Sequence, residues 1–177
     1  IKKNDTQLFA LLMEARLNRQ TGDTATAATL LKDALKAVND SSPTDELSLL
    51  ADALYAAELY QEASEAYEKF IDPNIFSPMS KRLLNSYYRA GRHKDALELG
   101  KLINKSGDSD EYTTEMKSSI YEAIGDLASA EKVCISFLSN HPNAHAVKVR
   151  LATVYYRQNK TTEIDELIDT IPSDADL

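Results

Sequence analysis

The stretch Thr114–Pro142, TEMKSSIYEAIGDLASAEKVCISFLSNHP, is built around Gly125, one of only five glycines in the chain. Tyr121 stands four residues before that glycine and Ala130 five after it. Phe137 stands twelve after it, and Pro142 closes the stretch. Apolar residues recur at helical spacing on both sides of Gly125, so the stretch predicts two helices joined at a glycine. Glycine suits a helix end because it takes the left-handed backbone conformation at little steric cost.

The same pattern recurs outward from this point. Gly91 lies 34 residues upstream of Gly125, and Gly22 lies 69 residues before Gly91, about twice that step. Glu58 holds the intermediate place in YAAELYQEA, and Asn159 lies 34 residues beyond Gly125. Asn is the next residue to tolerate a left-handed turn. Five residues after these points stand Ala27, Ala63, Ala96, Ala130 and Ile164. Four before stand Asn18, Leu54, Tyr87, Tyr121 and Tyr155, and seven before stand Ala15, Ala51, Leu84, Ser118 and Ala152. Twelve after stand Ala34, Phe70, Ile103, Phe137 and Ile171. Small residues at fixed places let two helices approach, and large apolar residues fill the space between them. A fixed internal period of this size marks a solenoid.

Prolines agree with the frame. Pro43, Pro73, Pro78, Pro142 and Pro172 all fall between units or at their edges. In a helix interior each would cost about 3 kcal/mol. No segment shows sustained strand alternation. The pattern predicts helix pairs over 7–20 and 24–39, 45–57 and 60–71, 78–90 and 93–105, 110–124 and 127–140, and 144–158 and 161–170.

On these residues the chain resembles the tetratricopeptide repeat (TPR) family. The quoted unit carries the family's Tyr, Gly, Ala, large apolar residue and closing Pro as Tyr121, Gly125, Ala130, Phe137 and Pro142. The family's early Trp is absent, Glu58 replaces a Gly, Gly100 replaces a bulky residue, and Ile164 replaces an Ala. The resemblance implies an all-α fold, a right-handed superhelical solenoid of about five antiparallel helix pairs. One array then runs over 1–177, with units at about 8–43, 44–76, 77–110, 111–144 and 145–177, the last degenerate or capping.

Composition bounds what such an array does. Apolar residues make up 43% of the 177 residues, enough for a core, and charged residues 27%. The net charge of −8 argues against general nucleic-acid binding, which needs many cations to displace counterions. No apolar run is long enough to span a membrane. The single cysteine, Cys134, precludes an internal disulfide framework. It suits the cytoplasm first and a bacterial periplasm second. The chain starts at Ile1 without a signal-type apolar segment, and is expected to be a piece of a longer protein.

Catalytic signals are missing. His141 and His145 are four apart, but Pro142 and Asn143 break the helix that would align them, and no third ligand is near in sequence. His93 follows the Gly91 turn and is expected to be exposed. Cys134 falls where the repeat places core residues, with no base to activate it. No phosphate-binding Gly-rich loop, GxSxG or HExxH occurs. Acidic pairs such as Asp108/Asp110 and Glu65/Glu68 read as solvated faces. The expectation is a non-enzyme without cofactor or metal.

In TPR arrays the concave face is lined mainly by the first helix of each pair. That frame implies a groove of Phe9, Leu12, Met13, Arg16, Arg19 and Gln20, then Asp45, Ser48, Leu49, Asp52 and Tyr55. Next come Lys81, Arg82, Asn85, Tyr88 and Arg89, then Tyr112, Glu115, Met116, Ser119 and Glu122. Val149, Arg150, Thr153, Tyr156 and Arg157 complete it. The set holds seven cations and four anions, a net of about +3 in a chain of −8. Arginine forks bind carboxylates with two hydrogen bonds, and aromatic and Met residues beside them add adaptable apolar contact. Arg16, Arg19, Lys81, Arg82, Asn85, Tyr88, Arg89, Arg150, Tyr156 and Arg157 are therefore the expected binding residues for a partly acidic peptide or protein segment.

Asp52 and Glu115 could instead neutralise neighbouring arginines. Cochaperone members of the family grip a heat-shock protein's terminal carboxylate with five residues. Lys81, Asn85 and Arg150 match that clamp, while Met116 and Ala146 remove two of its donors. A second reading makes the array a structural spacer or self-assembly segment of a larger bacterial secretion, envelope or regulatory protein. It would then form homo-oligomers through its end repeats or convex face.

Overall fold

The computed structural model describes residues 3–39, 42–72, 77–105 and 110–170. Pro73, Asp108, Ile171 and Pro172, and with them the last seven positions of the expected fifth unit, lie outside the described residues. The described residues form ten helices and no strand: α1 (Lys3–Gln20), α2 (Thr24–Ala37), α3 (Thr44–Ala56), α4 (Tyr60–Glu68), α5 (Pro78–Arg89), α6 (His93–Lys105), α7 (Glu111–Ala123), α8 (Leu127–Leu138), α9 (His145–Arg157) and α10 (Thr161–Ile168). Six start at the residue the pattern implies, among them α2 at Thr24 and α8 at Leu127. α1 starts earlier, at Lys3, because nothing over 3–6 breaks a helix upstream of Leu8, its first buried apolar residue.

Each helix pair is joined by the same local device. Gly22, Gly91 and Gly125 have φ of 86°, 75° and 82°. Glu58 and Asn159 both have φ of 59° and are the described non-glycine residues with positive φ. At Gly125 the N–H bonds to the Glu122 carbonyl (3.0 Å), and the next N–H, of Asp126, reaches back to Tyr121 (2.8 Å). Leu59 reaches Leu54, Arg92 reaches Tyr87, and Lys160 reaches Tyr155 in the same way. These paired bonds satisfy carbonyls that a helix end leaves without partners. The following helix is then capped where the sequence provides an acid: Asp23 accepts from the Thr26 N–H and Asp126 from the Ser129 N–H, both at 3.0 Å.

The chain divides into two compact units, Ile1–Arg92 and His93–Leu177. In the first, consecutive helices from α1 to α5 pack in chain order, and α1 also meets α3. Ala15, Ala27, Leu31, Leu50, Ala51, Leu54, Ala63, Tyr67 and Leu84 are all buried there. In the second, α7, α8, α9 and α10 pack in order, and α6 and α9 also meet α7. Cys134, Ala144, Val147, Leu151 and Tyr155 form one core cluster, with Phe137, Leu138, Ile164 and Leu167 partly buried against it. Ile164, standing where the other pairs carry alanine, fits because α10 packs less deeply and has no fully buried residue. Packing within each helix pair and onto the adjacent pair, with small residues at the crossings, is the packing of a helical repeat protein.

Candidate functional site

In the first unit, Arg16 and Arg19 lie three residues apart on α1 and are exposed. Between α1 and α3 a cleft of about 420 Å³ is lined by Leu12, Met13, Leu49 and Ala53 together with Arg16, Arg19 and Gln20. Leu49 is 54% exposed and Met13 39%, so the cleft presents apolar surface to solvent. The Arg19 guanidinium donates to the Ala56 carbonyl (3.2 Å) at the last residue of α3. A cation there is favoured by the negative end of the helix dipole.

Further along the same unit the cations have partners. Asp52 of α3 accepts from the Tyr67 hydroxyl (2.7 Å) and pairs with Arg82 of α5 (2.5 Å). The bond to Asp52 keeps the Arg82 guanidinium above its ordinary pKa. Burial, and then the hydrogen bond to Asp52, push the Tyr67 phenol up. Arg82 remains about half exposed. The Arg89 guanidinium lies 4.8 Å over the Tyr60 ring, which meets Tyr55 edge-on at 5.6 Å. Lys81, Asn85 and Tyr88 are half-buried on α5.

In the second unit, Arg150 of α9 donates to the Ser118 hydroxyl (3.2 Å) and pairs with Glu122 of α7. Arg157 Nε reaches the other Glu122 oxygen at 2.7 Å. One carboxylate, 12% exposed, therefore holds two arginines. Tyr156 is 76% exposed beside them. Burial, and then the neighbouring Glu111 charge, raise the pKa of Glu115.

These positions correct several expectations. Met116, expected to line the groove, is buried, whereas Leu12, although only 5% exposed, does line the α1–α3 cleft. Glu122 takes the arginine-neutralising place expected of Glu115, since it can reach both Arg150 and Arg157 across α9. His93, expected to be exposed, is half-buried at the start of α6. His141 stacks on the Phe137 ring (4.3 Å, 16°). Cys134 is fully buried and burial raises its thiol pKa. Among the described residues no three His, Cys, Asp or Glu side chains gather as metal ligands would. No described helix is long and apolar enough to cross a membrane. Sequence reasoning missed two buried lysines, Lys117 and Lys148. Their signal was present: each sits next to a buried apolar or small residue within an amphipathic stripe, where a long stem can lie inside.

Paired helices with left-handed joints and an arginine-edged apolar cleft define a helical-repeat interaction scaffold. The tetratricopeptide repeat profile matches residues 12–78 and 48–110, more than half of the sequence, and the chain belongs to the tetratricopeptide repeat family. Proteins of this family are generally non-catalytic interaction scaffolds with protein or peptide partners. No curated protein matches the sequence. Among solved structures, MamA is similar at 16% identity over 88% of this chain and 91% of its own, with a TM-score of 0.64. YrrB, a TPR protein with an unusual peptide-binding site, is 14% identical over 90% and 82%, with a TM-score of 0.60. PilF of Pseudomonas aeruginosa is 18% identical over 99% and 80%, with a TM-score of 0.60.

Proposed function

We propose that the first unit receives a partly acidic peptide or protein segment on the α1–α3 face, with a large apolar side chain in the cleft and carboxylates on Arg16 and Arg19. The single observation carrying this reading is the cleft itself: exposed Met13 and Leu49 form its walls, with two arginines and no acid in its described lining. Exposed apolar surface bordered by arginine is the composition of interface anchors. The peptide-binding site for which YrrB is described supports the same use of the fold. Arg82 and Arg89 extend the cationic edge, and Arg82 can exchange Asp52 for a ligand carboxylate because it is about half exposed.

The test is fluorescence anisotropy with labelled peptides that place Leu or Phe beside Asp and Glu, against matched peptides carrying Lys instead. The acidic series should bind, and Arg16→Glu with Arg19→Glu should weaken it by about 10-fold or more. Rising salt should weaken it too. Equal binding of both series, or no response to the arginine changes, would defeat the reading. Arg82→Glu with Arg89→Glu should also weaken binding while the helical circular dichroism signal is retained.

A further inference from the structure

Within the second unit, α10 is held by little. It has no buried residue, whereas every other described helix buries at least two. Ile164 and Leu167 lie only partly buried against the core cluster around Val147 and Leu151. The Lys148 ammonium of α9 donates to the Thr170 carbonyl just beyond α10 (2.8 Å).

The joint that turns α9 into α10 is also the least favourable kind. Asn159 takes φ of 59° there, where Gly22, Gly91 and Gly125 make the turn at other joints. Lys160, before α10, supplies no side-chain cap, whereas Asp23 and Asp126 cap α2 and α8. Glu58 makes a similar uncapped joint before α4, but α4 is locked in place by buried Ala63, Ser64, Ala66 and Tyr67. Only α10, among the described helices, combines a non-glycine joint, an uncapped start and no buried residue.

The sequence permits the joint to straighten. Residues 145–168 contain neither Gly nor Pro, so no residue in them forbids one continuous helix. Straightening releases the left-handed turn at Asn159. It replaces the Lys160 N–H to Tyr155 carbonyl bond (3.0 Å) with an ordinary helical one. It also carries α10 off its seat on α9 and leaves that seat open for an identical helix.

We propose that α10 is exchanged between two copies of this chain. In the exchanged pair, the two long helices run antiparallel, and each α10 fills the seat on the other copy's α9. Ile164, Leu167 and the Lys148–Thr170 bond re-form across the pair, because the incoming helix has the same sequence. The contact is the same in both directions, so the assembly closes at two copies. The exchange lies in the second unit and does not depend on the peptide reading of the first.

The test changes the exposed Asn159 in the full chain and reads mass by sedimentation velocity. Alanine disfavours the left-handed turn and favours a continuous helix, while glycine does the reverse. At about 100 µM, Asn159→Ala should be mainly dimeric, Asn159→Gly monomeric and the native chain between them. Isotope-labelled and unlabelled Asn159→Ala chains, unfolded and refolded together, should then show NMR contacts from Ile164 and Leu167 of one copy to the α9 core of the other. A monomeric Asn159→Ala protein, equal dimerisation of the alanine and glycine variants, or a dimer whose α10 contacts all stay within one chain would overturn the proposal.

Discussion

Glu58 turns the chain with φ of 59°, a conformation that costs a side-chain-bearing residue about 1 kcal/mol or more and glycine almost nothing. Its neighbours in the repeat show why the turn persists: the Leu59 N–H to Leu54 carbonyl bond (3.0 Å) closes the same joint that glycine closes elsewhere. Glu58→Gly should therefore stabilise the protein by about 1 kcal/mol, read as a raised midpoint in thermal or urea unfolding. Gly125→Ala, at φ of 82°, should lower that midpoint. Lys117 gives a residue-scale test with pH. Below about pH 8 its amine is charged in both folded and unfolded chains. From there towards 10.5 the folded chain sheds the proton while the unfolded chain keeps it, so the unfolded state binds more protons and stability rises with pH. Thermal melts at alkaline pH should show that gain in the native protein and not in Lys117→Met.

At the scale of elements, Glu122 ties α7 to α9 by holding Arg150 and Arg157. Removing the carboxylate leaves Arg150, 17% exposed, without that partner. Glu122→Ala should therefore cost about 2 kcal/mol, less than a fully buried pair because Arg157 is 61% exposed. Chemical denaturation checks this, and a loss no larger than that of an ordinary surface pair would refute it. These ion pairs also mark where sequence reading stops. The left-handed joints, including Glu58 and Asn159, and the buried Ala27, Ala63, Ala96 and Ala130 were legible because they repeat at a fixed period and answer to local geometry. The partner of each arginine was not, because it depends on distances between helices. Glu115 and Glu122 lie on one helix, seven residues apart, and only the packed position of α9 makes Glu122 the one that holds Arg150. The buried lysines escaped for a related reason. Residue type suggests the surface, while the stem of Lys117 fills the space that Gly100 leaves open.

For the whole molecule, the charge of −8 is unevenly used. Arg82, Arg150 and Arg157 are matched by Asp52 and Glu122, whereas the α1–α3 cleft has two arginines and no acid in its described lining. Repeat packing supplies the rigidity of such a surface, since core residues such as Leu50, Ala51 and Leu54 hold α3 with almost no exposure. On the proposed reading, binding rests on side chains that packing does not need. Met13, Leu49, Arg16 and Arg19 meet that description, being exposed on helices whose other faces form the core. The most direct measurement is a display selection of random peptides on the intact chain, followed by rebinding to Leu49→Asp. Enriched peptides should carry a large apolar residue beside Asp or Glu and should lose binding to Leu49→Asp. Enrichment of basic peptides, or binding that Leu49→Asp leaves untouched, would contradict the assignment of this cleft.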